Sequence, residues 1–173
     1  MSAPTLLRQL FSYQAWANGE LLEKMESLDA GRYKNELHAM TRLINHNGVV
    51  NQIFTAHLTG ARHHFAADNT PDTPTLKALR ETVTASDRWY LAYVETVSAQ
   101  QLSESVPFVF TDGDAGYMSR EEMLGHVVTH GIYHRGEVGR ILKQLSISPP
   151  WDTFAVFLHG NEPSRRLQAQ QVA

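Results

Sequence analysis

The stretch HVVTHGIYHRGEVGRIL, His126 to Leu142, carries a histidine at every fourth residue: His126, His130 and His134. Residues four apart on an α-helix differ by about 40° around the axis and about 6 Å along it, so their imidazoles can reach one point. For this reason, two-histidine metal sites use the pattern H-x-x-x-H on one helix. Both neighbouring pairs are candidates. His126 and His134 lie about 80° and two turns apart, so all three are not expected to share one ion.

The two ends of the helix that carries these histidines can be predicted from the sequence. Ser119 and Glu122 fit the capping box S-x-x-E, in which the two residues satisfy each other's free N–H groups. From there the helix is predicted to run to about Leu145. Gly131 and Gly136 lie inside it, each at a cost of about 1 kcal/mol in helix propensity. We expect a neighbouring helix to pack closely against both glycines.

Three more amphipathic helices precede this one, because apolar residues recur at spacings of three and four. The first is predicted from Thr5 to Leu28, the second from about Asn35 to Leu58, and the third from the cap Thr75 until it fades near Ser98. The apolar stripe of the first helix is Leu6, Leu10, Tyr13, Ala17, Leu21, Met25 and Leu28. That of the second is Leu37, Met40, Ile44, Val50 and Ile53 or Phe54, and that of the third is Leu76, Leu79, Val83, Tyr90 and Val94. The sequence therefore predicts an all-α fold with four long helices.

Two connecting segments have a character of their own. Val106 to Phe110 reads VPFVF and is followed by the turn signal Asp112-Gly113, which predicts a short hairpin or extended crossover before the last long helix. After Pro149-Pro150, the segment WDTFAVFL is expected to close one end of the helical bundle. From Glu162 onward the tail is polar and is expected to fray.

Composition narrows the class of protein. A chain of 173 residues suits one domain, 1–173, with a real hydrophobic core. A formal net charge of −3 argues against nonspecific nucleic-acid binding. No signal peptide and no apolar run of membrane-spanning length is present, so we expect a cytoplasmic protein with no membrane partner. The chain has no cysteine, which excludes disulfides, thiolate metal ligands and a cysteine nucleophile.

A metal centre on the last helix would need a third protein ligand. Without cysteine, that ligand must be His, Asp or Glu, and the second helix and its end offer His38, His46, His57, His63 and His64. His46 lies near the buried side of the helix. His57 lies eleven residues further, about 16 Å along the axis, so it cannot share an ion with His46.

Three motifs resemble those of a known family. The family is the DinB-like (DinB/YfiT) family, and its first-helix signature is similar to YQAWANGELL (Tyr13 to Leu22). Its second-helix motif is similar to LINHNGVVNQIF (Leu43 to Phe54), and its last-helix motif is similar to HVVTHGIYHRGEVGRIL. The resemblance implies an up-down-down-up four-helix bundle, commonly dimeric, with a divalent metal held by three histidines. Carried over to this chain, the ligands would be His46, His130 and His134, with His126 outside the set.

The resemblance also implies a chemistry. The better-understood relatives are metal- and thiol-dependent, which predicts a thiol-dependent S-transferase or isomerase acting on small electrophiles. The expected cofactors are zinc or nickel and a low-molecular-weight thiol such as bacillithiol or mycothiol. No catalytic residue is assigned beyond the metal site. Two alternatives stay open: a metal-dependent hydrolase that uses bound water, and a non-catalytic metal-binding stress protein.

Four further residues carry specific expectations. Phe11 and Trp16 lie off the apolar stripe of the first helix, which suggests a surface for homodimerisation. His126 follows Glu122 by four residues and is expected to contact its carboxylate. Glu137 could orient an imidazole ligand, although a solvated carboxylate or a surface pair with an arginine is the favoured interpretation.

Overall fold

The computed structural model describes residues 2–166, and this part of the chain is mainly helical. Its elements, in order, are α1 (Ala3–Glu26), α2 (Lys34–Thr59), α3 (Leu76–Thr96), α4 (Ala99–Leu102), β1 (Ser105–Val109), β2 (Ala115–Ser119), α5 (Arg120–Gln144) and α6 (Phe154–Asn161). The all-α prediction is confirmed as a mainly helical class, and of the two alternatives before the last long helix, hairpin or extended crossover, the chain forms the hairpin. No helix within residues 2–166 is long and apolar enough to cross a membrane.

Four long helices enclose the core. Both α1 and α2 pack against α3 and α5. One hydrophobic cluster contains Phe54 and Tyr90, and a second contains Met25 and Met40. Between the two clusters, each long helix contributes at least one buried polar residue: Gln14, Asn18, Asn47, Asn51, Asp87 and Arg135. These side chains form a polar layer across the middle of the core, at the level of the histidines of α5.

The buried side of α1 differs from the prediction. Leu6 is 39% exposed, whereas Leu7 is buried in its place. Phe11 is 2% exposed and stacks on Tyr90 with ring centroids 4.9 Å apart. Trp16 packs against Phe157 of α6. Phe11 therefore belongs to the interior of the chain, and the expectation that it is exposed was wrong. Trp16 is partly exposed, and a homodimer through this face stays a prediction.

The two glycines of α5 behave differently. A Cβ at Gly131 would lie 3.0 Å from Oε1 of Gln14 and 3.1 Å from a guanidinium nitrogen of Arg135. The predicted close helix contact is therefore confirmed at this glycine. At Gly136 no atom lies within 4 Å of such a Cβ, and the residue is exposed. The same prediction was wrong there.

The hairpin and the start of α5 form one local unit. Strands β1 and β2 pair antiparallel, with Gly116 opposite Phe108, and a side chain on Gly116 would overlap the Phe108 ring. The capping box is confirmed, because Oε2 of Glu122 accepts a hydrogen bond from the Ser119 N–H at 2.7 Å. Glu122 is thereby turned toward Ser119. The expected contact with His126 is not among the interactions of the described chain, and His126 packs its ring against Phe54 at 4.6 Å instead.

The segment after Pro149-Pro150 forms the helix α6. It packs against the middle of α1, where Phe154 and Phe157 contact Tyr13. The expectation that this segment closes one end of the bundle was therefore wrong. Of the tail expected to fray, residues 162–166 are described, and they include an ion pair between Arg165 and Glu162. The rest of the tail lies outside the described residues.

Candidate metal centre

Two helices bring three imidazoles together. His46 comes from α2, and His130 and His134 come from successive turns of α5. Nε2 of His130 lies 3.1 Å from Nε2 of His46 and 3.0 Å from Nε2 of His134. One ligand atom from each residue lies within 4.8 Å of the other two, and no other set of three His, Cys, Asp or Glu side chains within residues 2–166 does so. The structure therefore joins the second α5 pair to His46.

Each imidazole is held from behind by a hydrogen-bond acceptor. Nδ1 of His46 lies 2.7 Å from the backbone oxygen of Asp68, and Nδ1 of His130 lies 3.1 Å from Oδ1 of Asn47. The third ring, His134, has Nδ1 2.7 Å from Oε2 of Glu137. Because all three partners accept, the proton of each neutral ring lies on Nδ1. The three Nε2 lone pairs consequently face one another.

The electrostatics favour neutral rings at His130 and His134. Burial, and then the neighbouring His134, His46 and His126, lower the pKa of His130 to about 3. Burial also lowers the pKa of His134, against the opposing effect of the Glu137 carboxylate. Three Nε2 lone pairs that face each other without a proton between them repel. A shared cation removes this repulsion, and neutral imidazole is a ligand that zinc and nickel both accept. The donor set therefore fits a divalent ion.

The loop after α2 supports His46. It returns along the helix, where the guanidinium of Arg42 donates to the carbonyl of Thr70 at 2.6 Å and the amide of Asn69 donates to the carbonyl of Arg42 at 3.1 Å. The buried amide of Asn45 donates to the hydroxyl of Thr70 at 2.6 Å. These bonds fix the carbonyl of Asp68 against His46. Sequence reasoning missed this contact, because a backbone acceptor leaves no residue signature.

Asn47 and Glu137 are the side-chain supports. Sequence reasoning did not single out Asn47, although it lies directly after His46 and is 3% exposed, which is unusual for an asparagine. Glu137 was considered, but the favoured interpretation, a solvated carboxylate or a pair with an arginine, was wrong. A carboxylate that accepts from the far nitrogen of a histidine is the common arrangement behind metal ligands.

Arg135, next to His134, points the other way. Its side chain is 1% exposed, and Nε donates to Asp152 at 2.7 Å while a terminal nitrogen donates to Asn18 at 3.2 Å. The amide of Asn18 in turn donates to both oxygens of Asp87 at 3.0 and 3.1 Å. Tyr13 also donates to Asp152. The arginine thus ties α5 to α1, α3 and the segment before α6.

The remaining candidate histidines lie outside the centre. His126 is stacked beside His130 with ring centroids 5.2 Å apart but is not one of the three convergent residues. His57 packs against His63 at the far end of α2. The exposed residues His38 and His64 contact none of the three rings through a hydrogen bond or ring contact within residues 2–166.

A cleft of about 690 Å³ lies on another side of α5. Its lining includes Arg135, Arg140, Trp151 and Asp152 but none of the three convergent histidines. The cleft is therefore separate from the candidate metal centre. Chemistry at the histidines would take place where α2 and α5 meet and where the side chain of His46 is 20% exposed.

Fold and site together define a class: mainly helical proteins with an all-histidine candidate metal centre shared by two long helices. The sequence model of the DinB family matches residues 1–167, and the chain belongs to this family. It is also similar to the protein DinB of Bacillus subtilis (strain 168), with 24% identity over 165 residues, 87% of this chain and 92% of that relative.

Proposed function

We propose that this protein is a divalent-metal-dependent enzyme in which His46, His130 and His134 hold zinc or nickel. The reaction is the transfer of a low-molecular-weight thiol to a small electrophile, or a thiol-assisted isomerisation. One observation carries the proposal: the three Nε2 atoms converge while every Nδ1 is engaged by an acceptor. Membership of the DinB family supports the same interpretation.

The residues behind the ligands set the properties of the centre. Asn47 is neutral, whereas two carboxylates bring negative charge to the rings: Glu137 at Nδ1 of His134, and Asp68, whose Oδ2 lies 3.7 Å from Nδ1 of His46. An ion held by imidazoles keeps most of its positive charge and lowers the pKa of a coordinated thiol or water. Glu137, by accepting from Nδ1 of His134, fixes the orientation of that ring and increases its basicity.

The thiol has to come from outside, because the chain contains no cysteine. In a transfer the thiol releases its proton to solvent, its sulfur forms a bond to the electrophilic atom, and the leaving group departs with the electron pair of the bond that breaks. His46 and His130 are only partly buried, which leaves the centre accessible from solvent where α2 and α5 meet. A small molecule can reach it there.

The proposal includes an architecture and a setting. The packing of both α1 and α2 on α3 and α5 supports an up-down-down-up four-helix bundle. We also propose that the protein is a cytoplasmic homodimer. It acts on a small-molecule substrate and binds neither nucleic acid nor a membrane. Sedimentation at micromolar concentration tests the dimer, for which the buried Phe11 no longer provides a reason.

Elemental analysis of protein purified without an affinity tag is the first test. We expect about one zinc or nickel per chain, lost in His46→Ala, His130→Ala and His134→Ala and retained in His126→Ala and in the exposed control His38→Ala. A metal content that drops in His126→Ala but not in His134→Ala would contradict the ligand set.

Assays with thiols and electrophiles test the reaction. Consumption of a chromogenic electrophile should require metal and an added low-molecular-weight thiol together. Turnover that needs metal but no thiol would instead support a hydrolase that uses bound water. Stoichiometric metal without turnover in either assay would support a non-catalytic metal-binding protein.

A further inference from the structure

The cleft of about 690 Å³ lies on the face of α5 opposite the three histidines. Gly139, which lines the cleft, follows His130 by nine residues and is therefore about 180° away around the helix axis. The other walls are Ala17 and Leu21 of α1 and the segment of residues 148–153. A cleft of this size is within the range of about 300–1,000 Å³ that is typical of small-molecule sites.

Glycine on α5 provides part of the space. Gly136 lines the cleft, and a Cβ at this position would have no atom within 4 Å. Glycine lowers the helix propensity, and at Gly136 no close packing within residues 2–166 requires it. The space that a side chain would fill at this position belongs to the cleft.

The wall opposite α5 is held in place by hydrogen bonds. Nε of Arg135, whose side chain is 1% exposed, donates to Asp152 at 2.7 Å. The hydroxyl of Thr153 accepts from the Val156 N–H at 3.3 Å and caps α6. Both ends of the short stretch from Asp152 to Thr153 are thus anchored, one to α5 and the other to α6. A wall that is already fixed reduces the entropic cost of binding a ligand.

The charges that line the cleft do not balance. Asp152 is the one acidic residue among the described lining residues, and its charge is matched by Arg135. Arg140 and Lys143 also line the cleft, and both are exposed. Neither forms an ion pair within residues 2–166. Their spacing of three residues places them on the same side of α5, so two unmatched positive charges face one cleft.

The rest of the lining is largely apolar. Trp151 is 77% exposed and Ile132 is 40% exposed, although both are large hydrophobic residues. Pro149 and Pro150 continue the apolar surface beside Trp151. An accessible indole attracts flat apolar groups and other rings. The cleft therefore presents an apolar wall next to two cations.

We propose that this cleft is a binding site for a small organic anion that has an aromatic or flat apolar body. The body lies against Trp151, and the anionic group lies near Arg140 and Lys143. This site is separate from the three histidines and does not depend on the proposed metal-dependent function. It gives the protein a second small-molecule site on the opposite face of α5.

Three matched probes test the ligand class by titration calorimetry at low salt. They are 2-naphthoate, its neutral analogue 2-naphthamide, and acetate, which has the charge without the rings. We expect 2-naphthoate to bind about tenfold more tightly than 2-naphthamide, since two exposed ion pairs contribute about threefold each. It should also bind at least tenfold more tightly than acetate. Equal affinities for 2-naphthoate and 2-naphthamide, or no binding of either at millimolar concentration, would overturn the inference.

Variants of exposed residues locate the anionic group. Arg140→Gln and Lys143→Gln should each weaken 2-naphthoate about threefold and leave 2-naphthamide unchanged. The control Lys77→Gln removes an exposed cation of α3 that does not line the cleft and should change neither affinity. Wild-type affinity for 2-naphthoate in the double variant of Arg140 and Lys143 would overturn the inference.

Two further variants locate the rings. Trp151→Ala removes the indole, and Gly136→Leu fills the open space on α5, so each should weaken 2-naphthoate and 2-naphthamide alike by about threefold or more. Unchanged binding in both variants would place the rings elsewhere and overturn the inference.

A chelator separates this site from the candidate metal centre, because a carboxylate could also bind a metal ion. The affinity for 2-naphthoate should be the same with and without excess chelator. Binding that disappears with the chelator would place the probe at the histidines and overturn the inference, while leaving the proposed metal-dependent function intact.

Discussion

Oδ1 of Asn47 lies 3.1 Å from Nδ1 of His130, so the residue that follows one candidate ligand in the sequence holds another across the helix interface. Asn47 is 3% exposed and belongs to the polar layer between the two hydrophobic clusters. The same layer contains Gln14, which is fully buried. Of the groups that hold the three imidazoles, Asn47 is thus the one that the core keeps away from water.

Loss of Asn47 should weaken metal binding. Without its acceptor, Nδ1 of His130 loses the bond that fixes the tautomer and the ring orientation, and such losses cost about 10–100-fold in metal affinity. We expect that decrease in Asn47→Leu by competition with a fluorescent chelator. Asn47→Asp retains an acceptor and should recover much of the affinity, whereas the exposed Asn35→Leu should have no effect. Wild-type affinity in Asn47→Leu would contradict this role.

The two glycines of α5 should respond in opposite directions to alanine. Gly131→Ala places a Cβ 3.0 Å from Gln14 and 3.1 Å from Arg135, and overpacking of this kind costs about 1–3 kcal/mol. Gly136→Ala meets open space, so the better helix propensity of alanine should stabilise the fold by up to about 1 kcal/mol. Urea unfolding of the two variants measures both effects. Equal shifts of the same sign would show that the packing at Gly131 is looser than described.

Asp87 should make the stability depend on pH. Burial raises the pKa of this carboxyl from 3.8 to about 6, against the opposing effects of Asn18 and Arg135. The folded state therefore holds this proton more tightly than the unfolded chain. Its contribution is present below about pH 4 and is lost as pH rises through about 6. At 1.36 kcal/mol per pKa unit, the loss between pH 4 and pH 7 is roughly 2–3 kcal/mol.

The comparison of wild type with Asp87→Asn isolates this effect from other titrating groups. The difference in unfolding free energy between the two proteins should change by that amount from pH 4 to pH 7, in the direction that favours the variant at the higher pH. The exposed control Asp114→Asn should run parallel to the wild type. A constant difference between wild type and Asp87→Asn would rule out a raised pKa at this residue.

Metal removal should lower the stability without unfolding the protein. The two hydrophobic clusters lie on either side of the polar layer and bury apolar residues of all four long helices, so the fold does not depend on the ion. Metal at 1,000 times its dissociation constant should add about 4 kcal/mol, which a chelator would remove. Thermal melts with and without chelator measure the shift. Loss of the helical circular dichroism signal at room temperature on chelation would contradict the expectation.

Much of the fold follows from local patterns in the sequence. Apolar periodicity, together with the Thr75 and Ser119 caps, predicted bounds that agree with those of α2, α3 and α5. The Asp112-Gly113 turn signal predicted the hairpin before α5. These features depend on neighbours within a few residues, which is why they can be read without the tertiary structure. The spacing of His130 and His134 is local in the same sense.

Other features were decided only when the helices packed. Periodicity could not identify the third histidine of the candidate centre, because helical spacing relates residues within one helix and not residues of two different helices. The family resemblance pointed to His46. The structure brings His46 to His130 and His134. The burial of Phe11 follows from the way α1 packs on α3, where Tyr90 covers its ring. The carbonyl of Asp68 reaches His46 only because a loop returns along α2. Contacts between segments distant in the chain depend on the relative positions of whole helices, and that arrangement results from burying all four apolar faces at once.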